Sequence, residues 1–135
     1  MCDYCDCRSH HQLAALSDEH AVLLGLLGEL RAGAPVVNRL AETLDGHAAR
    51  EERGVFAELR RAGIDPGYLD RFERDHERIH ALIDAGAMAA LVAVLEAHIL
   101  HEETDLFPAA HQLLSPEQWD AVDAITTHPT PGEPA

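Results

Sequence analysis

Two stretches of this chain repeat one another, and they limit what it can fold into more than anything else in it. His47, Glu51, Glu52, Val55 and Phe56 in the first recur at the same spacing as His98, Glu102, Glu103, Leu106 and Phe107 in the second. Residues four apart on an α-helix differ by only ~40° in direction and ~6 Å in height. Each His–Glu pair therefore points one way at successive levels. Both pairs also fall inside apolar stripes of helical period, the first with Leu40, Leu44, Val55 and Leu59, the second with Leu91, Leu95 and Leu106.

The same period organises most of the chain. A first helix is expected from about Ser9, with Leu13, Leu16, His20, Leu23, Leu24, Leu27 and Leu30 inward, ending near Gly33 and Pro35. A second starts close to Pro35 and stops at Gly63, and Ile64 to Gly67 reads as a turn. The third carries Leu69, Phe72, His76, His80 and Ile83 on one face and ends before Gly86. The fourth meets Pro108 in its last turn or at a kink, and Ser115-Pro116-Glu117 caps a short fifth helix through Trp119, Val122 and Ile125. No segment alternates with period two for long. The expected class is all-α, an up-down-up-down four-helix bundle with a short C-terminal fifth helix. Residues 1–8 read as a Cys-rich N-terminal arm, 9–125 as the bundle and 126–135 as a disordered, Pro-rich tail. One detail does not balance: His80 is near the loop joining the third and fourth helices, whereas His98 is further from it.

Polar residues inside the stripes carry the chemistry. His20, His47, Glu51, His76, His80, His98 and Glu102 all sit at positions expected to face the core. Five imidazoles and two carboxylates in an apolar interior are heavily penalised unless they neutralise one another or bind metal. A lone histidine such as His20 is more often a satisfied core residue, and one His–Glu pair is usually a surface pair. Contributions from all four helices, all inward, favour metal. Seven ligands exceed one tetrahedral zinc and suit two ions bridged by the carboxylates. Mixed nitrogen and oxygen donors without thiolate favour iron or manganese, with zinc still compatible. Arg50, Glu52 and Arg53 are expected to form a solvated face, as are Arg60 and Arg61.

Charge narrows the partners. The chain has 135 residues, enough for one domain, with 10 basic residues against 24 acidic ones and a formal charge of -14. That balance argues against nucleic acid or an anionic membrane surface and suits a protein that holds cations. No apolar run approaches a membrane span, and the polar start does not read as a signal peptide, so cytoplasm is the expected compartment. Cys2, Cys5 and Cys7 are odd in number and crowded, a poor disulfide framework. With His10 and His11 nearby they read as a zinc or redox motif or as a thiol-rich terminus.

At these residues the chain resembles the hemerythrin-like family, the HHE cation-binding bundles, over about Leu13 to Leu114. The matching order is His20, then His47 with Glu51, then His76 with His80, then His98 with Glu102. The resemblance implies a non-haem di-iron centre with an oxo or hydroxo bridge. It implies that His76, His80 and His98 bind one iron and His20 and His47 the other, with Glu51 and Glu102 bridging. It further implies an open position for O2, NO or peroxide on the iron with two histidines. Oxygen-carrying members usually place an aspartate five residues after the last histidine, where this chain has Glu103. Glu102 is favoured as the ligand because it mirrors Glu51, and His101 lies near the same face. Reversible binding of O2 or NO, for sensing, storage or stress response, is the leading reading. The alternatives are an enzyme degrading peroxide or NO, an iron-storage protein, and a metal-free structural bundle. No proton donor stands in the stripes beyond the ligands themselves, which favours binding over turnover.

Overall fold

The computed structural model describes residues 7–127, with side chains over 11–125. Among the described residues every regular element is helical. Helix α1 covers Cys7–Arg31, and α2 covers Val37–Arg50. A π-helical turn, Glu51–Phe56, joins α2 without interruption to α3, Ala57–Arg61. Helix α4 is Pro66–Ala85 and α5 is Met88–His101. A second π turn, Glu102–Leu106, leads into α6, Phe107–Leu113, and α7 is Pro116–Thr127. No helix among the described residues is long and apolar enough to cross a membrane.

Local chemistry sets most of the ends. Asp65 caps α4 by accepting from the Tyr68 backbone N–H, with Pro66 in the first turn. The segment expected as a turn thus already belongs to the helix from Pro66. Gly63 and Gly86 follow α3 and α4 with φ of +90° and +67°, a conformation open to glycine at little cost. Helix α1 begins at Cys7, two residues before the expected cap at Ser9. The rest of the expected arm, and the tail beyond Thr127, lie outside the described residues.

The π turns are the departure from simple helical reading. A π turn closes i→i+5 bonds and takes up one extra residue. The Phe107 N–H accordingly reaches back to the Glu102 carbonyl. Two consecutive residues can then be buried together: Val55 with Phe56, and Leu106 with Phe107. The second π turn also explains Pro108. A proline needs the preceding turn opened, because its ring clashes with a carbonyl one turn back and it has no N–H to donate. With that turn already wide, the helix runs on through Pro108 to Leu113.

Helix α1 packs on α2 and α5, and α4 packs on α2 and α5, so these four close a ring, while α7 lies across α1 and the first π turn. The interior is split into two apolar clusters. One holds Leu16, Phe56, Leu59, Phe72, Leu106, Trp119 and their neighbours. The other holds Leu23, Leu26, Leu40, Leu44, Ile79, Leu91 and Leu95. On each of the four helices the inward polar residues fall between these clusters: Leu16, His20, Leu23 on α1; Phe72, His76, Ile79 on α4. The polar residues therefore form one layer between two greasy ones. Leu26, not Leu24, completes the α1 stripe, and Leu24 is exposed.

Trp119 anchors α7 in the first cluster. Trp119→Ala is expected to destabilise the protein by about 3–5 kcal/mol, the range for truncating a buried aromatic. Urea unfolding followed by circular dichroism measures it.

Candidate metal centre

Six of the seven inward polar residues converge in the layer, and all six are buried: His20, His47, Glu51, His76, His98 and Glu102. Their ligand atoms form two groups, His20, His47, Glu51, Glu102 and Glu51, His76, His98, Glu102, each within 4.8 Å. Both glutamates belong to both groups. Glu102 Oε1 is 2.8 Å from His20 Nε2 and 3.7 Å from His47 Nε2, while its Oε2 is 3.1 Å from His98 Nε2. Glu51 Oε2 is 3.3 Å from His47 Nε2 and its Oε1 is 3.3 Å from His76 Nε2.

The structure does not bring His80 to this layer. Its side chain is 42% exposed and pairs with Asp45 Oδ1 at 2.7 Å. The inward residues of α4 are Leu69, Phe72, His76 and Ile79. Ile79 takes the inward position one turn beyond His76, within the second apolar cluster, and His80 steps off the stripe. The unequal depths of His80 and His98 in the sequence were the sign of this. Each of the two groups that the structure brings together holds two histidines, where the sequence pattern allotted three and two.

Three of the four inner imidazoles are held from behind by an acid. His47 Nδ1 donates to Glu19 Oε1 at 2.6 Å, His76 Nδ1 to Glu52 Oε2 at 2.6 Å, and His98 Nδ1 to Asp75 Oδ2 at 3.0 Å. Glu103 Oε2 lies 3.5 Å from His20 Nδ1 and accepts from the Ser17 hydroxyl at 2.7 Å. Such outer carboxylates fix the ring and direct Nε2 inward. Arg50 pairs with Glu19. Glu52 and Arg50 are thus parts of the site's frame, not of an idle solvated face. The outer acids were readable in principle: an acid directly precedes His20 and His76, and an acid directly follows Glu51 and Glu102. His101 is exposed and outside the cluster.

These contacts obey an internal two-fold correspondence. Helix α1 answers to α4, and α2 to α5. Glu19 beside His20 holds the histidine of α2; Asp75 beside His76 holds that of α5. Glu52 after Glu51 holds His76, and Glu103 after Glu102 faces His20. Phe107 stacks on His20 at 5.5 Å and Phe56 stacks on His76 at 6.1 Å, with interplanar angles of 3° and 2°. The paired rings His20–His47 and His76–His98 are 4.7 and 4.8 Å apart.

The inner face is left unsatisfied. His47, His76 and His98 Nε2, both oxygens of Glu51 and Glu102 Oε2 are buried with no hydrogen-bond partner. Buried polar atoms without partners are costly and rare. A set of nitrogen and carboxylate lone pairs aimed at common points is what a cation satisfies, so the donors fit a metal pair. In the absence of cations, protons take their place. Burial alone lowers the His47 pKa, but the surrounding carboxylates of Glu51, Glu102 and Glu19 raise it to about 12. For His76, burial is likewise outweighed by Glu51 and Glu52, which raise the pKa to about 9. Burial opposes ionisation of Glu102, yet the His20, His47 and His98 rings around it hold its carboxyl well below the usual range.

The family model of the hemerythrin HHE cation binding domain matches residues 10–110. No curated protein and no solved structure matches the chain.

The raised histidines make the metal-free protein sensitive to alkali. Their stabilisation is complete below the ordinary value of 6.5 and is lost as pH rises through the folded value, first His76 and then His47. From pH 7 to pH 10, loss of the His76 contribution is expected to cost roughly 2–3 kcal/mol, since a tenfold change in proton affinity is worth ~1.4 kcal/mol. Urea titrations of chelator-treated protein at the two pH values give the number, and His76→Gln should flatten the change.

Proposed function

The chain belongs to the hemerythrin HHE cation-binding family, and from that premise we propose that it is a di-iron protein which binds O2 or NO. Glu51 and Glu102 would bridge the two ions, with His20 and His47 completing one and His76 and His98 the other. The observation that carries this reading is the doubled set of inward donors, left without partners, in which both carboxylates are shared. Two imidazoles and two carboxylate oxygens per ion leave room for a small ligand. The ring of contacts among α1, α2, α4 and α5 supports an up-down-up-down four-helix bundle as the scaffold. The absence of a membrane-spanning helix among the described residues is compatible with the cytoplasm as its compartment.

When bound, the ions supply reversible redox chemistry and open coordination positions. The protein does the rest. Glu19, Glu52 and Asp75 hold the His47, His76 and His98 rings by Nδ1 so that each Nε2 faces the layer. Phe56 and Phe107 cover His76 and His20 on the side of the first apolar cluster, which restricts water and favours small, weakly polar ligands. Loading must displace the protons that His47 and His76 hold in the metal-free state, so it releases acid.

Metal analysis after anaerobic iron loading should return two irons per chain, with a visible charge-transfer band that appears on adding O2 and fades on removing it. Rapid consumption of added peroxide would favour the enzymatic reading instead, and a protein that takes no iron would end both. The ligand set has its own test. Glu51→Ala and Glu102→Ala should empty the site, while His80→Ala should keep two irons. Glu52→Gln and Asp75→Asn should weaken metal binding by roughly 10–100-fold, as expected for outer-shell partners. Unchanged stoichiometry in Glu102→Ala, or an iron lost in His80→Ala, would overturn the assignment.

A further inference from the structure

Outside the buried layer, one surface gathers arginines that no ion pair engages among the described residues. The chain has only 10 basic residues against 24 acidic ones. Three of those ten, Arg71, Arg74 and Arg78, line a single pocket of about 240 Å³ with Phe72, Asp75 and His101. Their spacing places them along one side of α4. Arg50, Arg60 and Arg61 each have a carboxylate partner. Among the described residues, no ion pair engages Arg71, Arg74 or Arg78, although α4 itself supplies Asp70, Glu73 and Glu77.

The internal two-fold provides a control for this pocket. The α1 positions that answer to Arg71, Arg74 and Arg78 are Ala15, Asp18 and Val22. In that half, Arg50 pairs with Glu19, the acid behind His47. In the other half, the counterpart of Arg50 is His101, and among the described residues Asp75 has no guanidinium partner. A generic solvated helix face would look alike on both sides. Here positive charge has been gathered on one side only and left open.

We propose that this pocket is a binding site for a phosphate-class oxyanion, either inorganic phosphate or the phosphate of a monoester. Guanidinium forks match tetrahedral oxyanions in geometry as well as charge, and a cluster of them outweighs the nearby Asp75. The His101 imidazole adds a donor on the α5 side. The volume is below the ~300 Å³ at which pockets for drug-sized organic ligands begin, which suits a small anion. On a protein of formal charge -14 an anion is repelled almost everywhere else. The site stands whether or not the buried layer holds metal.

Calorimetric titration of the full chain with inorganic phosphate, and separately with phenyl phosphate, at constant ionic strength tests this. One saturable site per chain is expected, and the tighter of the two ligands identifies the free ion or the ester as the natural form. The Arg74→Gln/Arg78→Gln double variant should bind roughly tenfold or more weakly, since two charge-assisted bonds are lost. The Arg31→Gln/Arg39→Gln variant, of the same net charge, should bind normally. Circular dichroism checks that both variants keep their helix content. No saturable binding of either ligand, unchanged affinity in the first variant, or equal loss in the second would overturn the proposal.

Discussion

Two glutamates buried at 0% exposure among four buried imidazoles are the constraint on which the rest of this molecule depends. An ionised carboxylate in an apolar interior is prohibitive unless it is paired and hydrogen-bonded or coordinates a cation. Glu51 and Glu102 are each reached by histidines from two or more helices, so no single helix can satisfy them. Helices α1, α2, α4 and α5 must come together at one level for the layer to exist. The two apolar clusters on either side give that level its place along the helices and keep water from it.

The layer is built from one device used twice. A histidine preceded by an acid on one helix faces a histidine followed four residues later by a glutamate pair on the next. The first glutamate of the pair turns inward and the second reaches a histidine of the opposite half. Outer contacts thus run within each half, through Glu19 and Asp75, and across to the other, through Glu52 and Glu103. The π turns belong to the device. Each begins at the inward glutamate, and the added residue lets a phenylalanine five positions on stack over a histidine of the opposite half. A regular helix would carry that phenylalanine away from the layer. The halves differ where they meet other structure: α7 covers the first π turn, and α4 carries the arginines that α1 lacks.

Proton and metal compete for the same inward atoms. In the metal-free state His47 and His76 hold protons against burial because the carboxylates beside them favour positive charge nearby. A metal pair supplies that charge more compactly and satisfies the lone pairs that protons leave without partners. The acids behind the rings serve in either state, since they accept from Nδ1 while Nε2 takes a proton or faces a cation.

Much of this was legible in the chain itself. Helical period, glycine and proline placement and the repeated His–Glu spacing determined the helices, the inward stripes and six of the converging residues, because those signals are local. Tertiary packing decided the rest. His80 satisfies the same four-residue spacing as the converging pairs, but the neighbouring layer is apolar, and Ile79 takes the inward position there. Glu52 and Arg50 read as surface until the histidine of another helix and the acid of α1 are seen beside them. The π turns could not be read from period, since one inserted residue shifts a stripe no more than ordinary variation does. Spacing along one helix states which way a side chain points; only the other helices determine what it meets there.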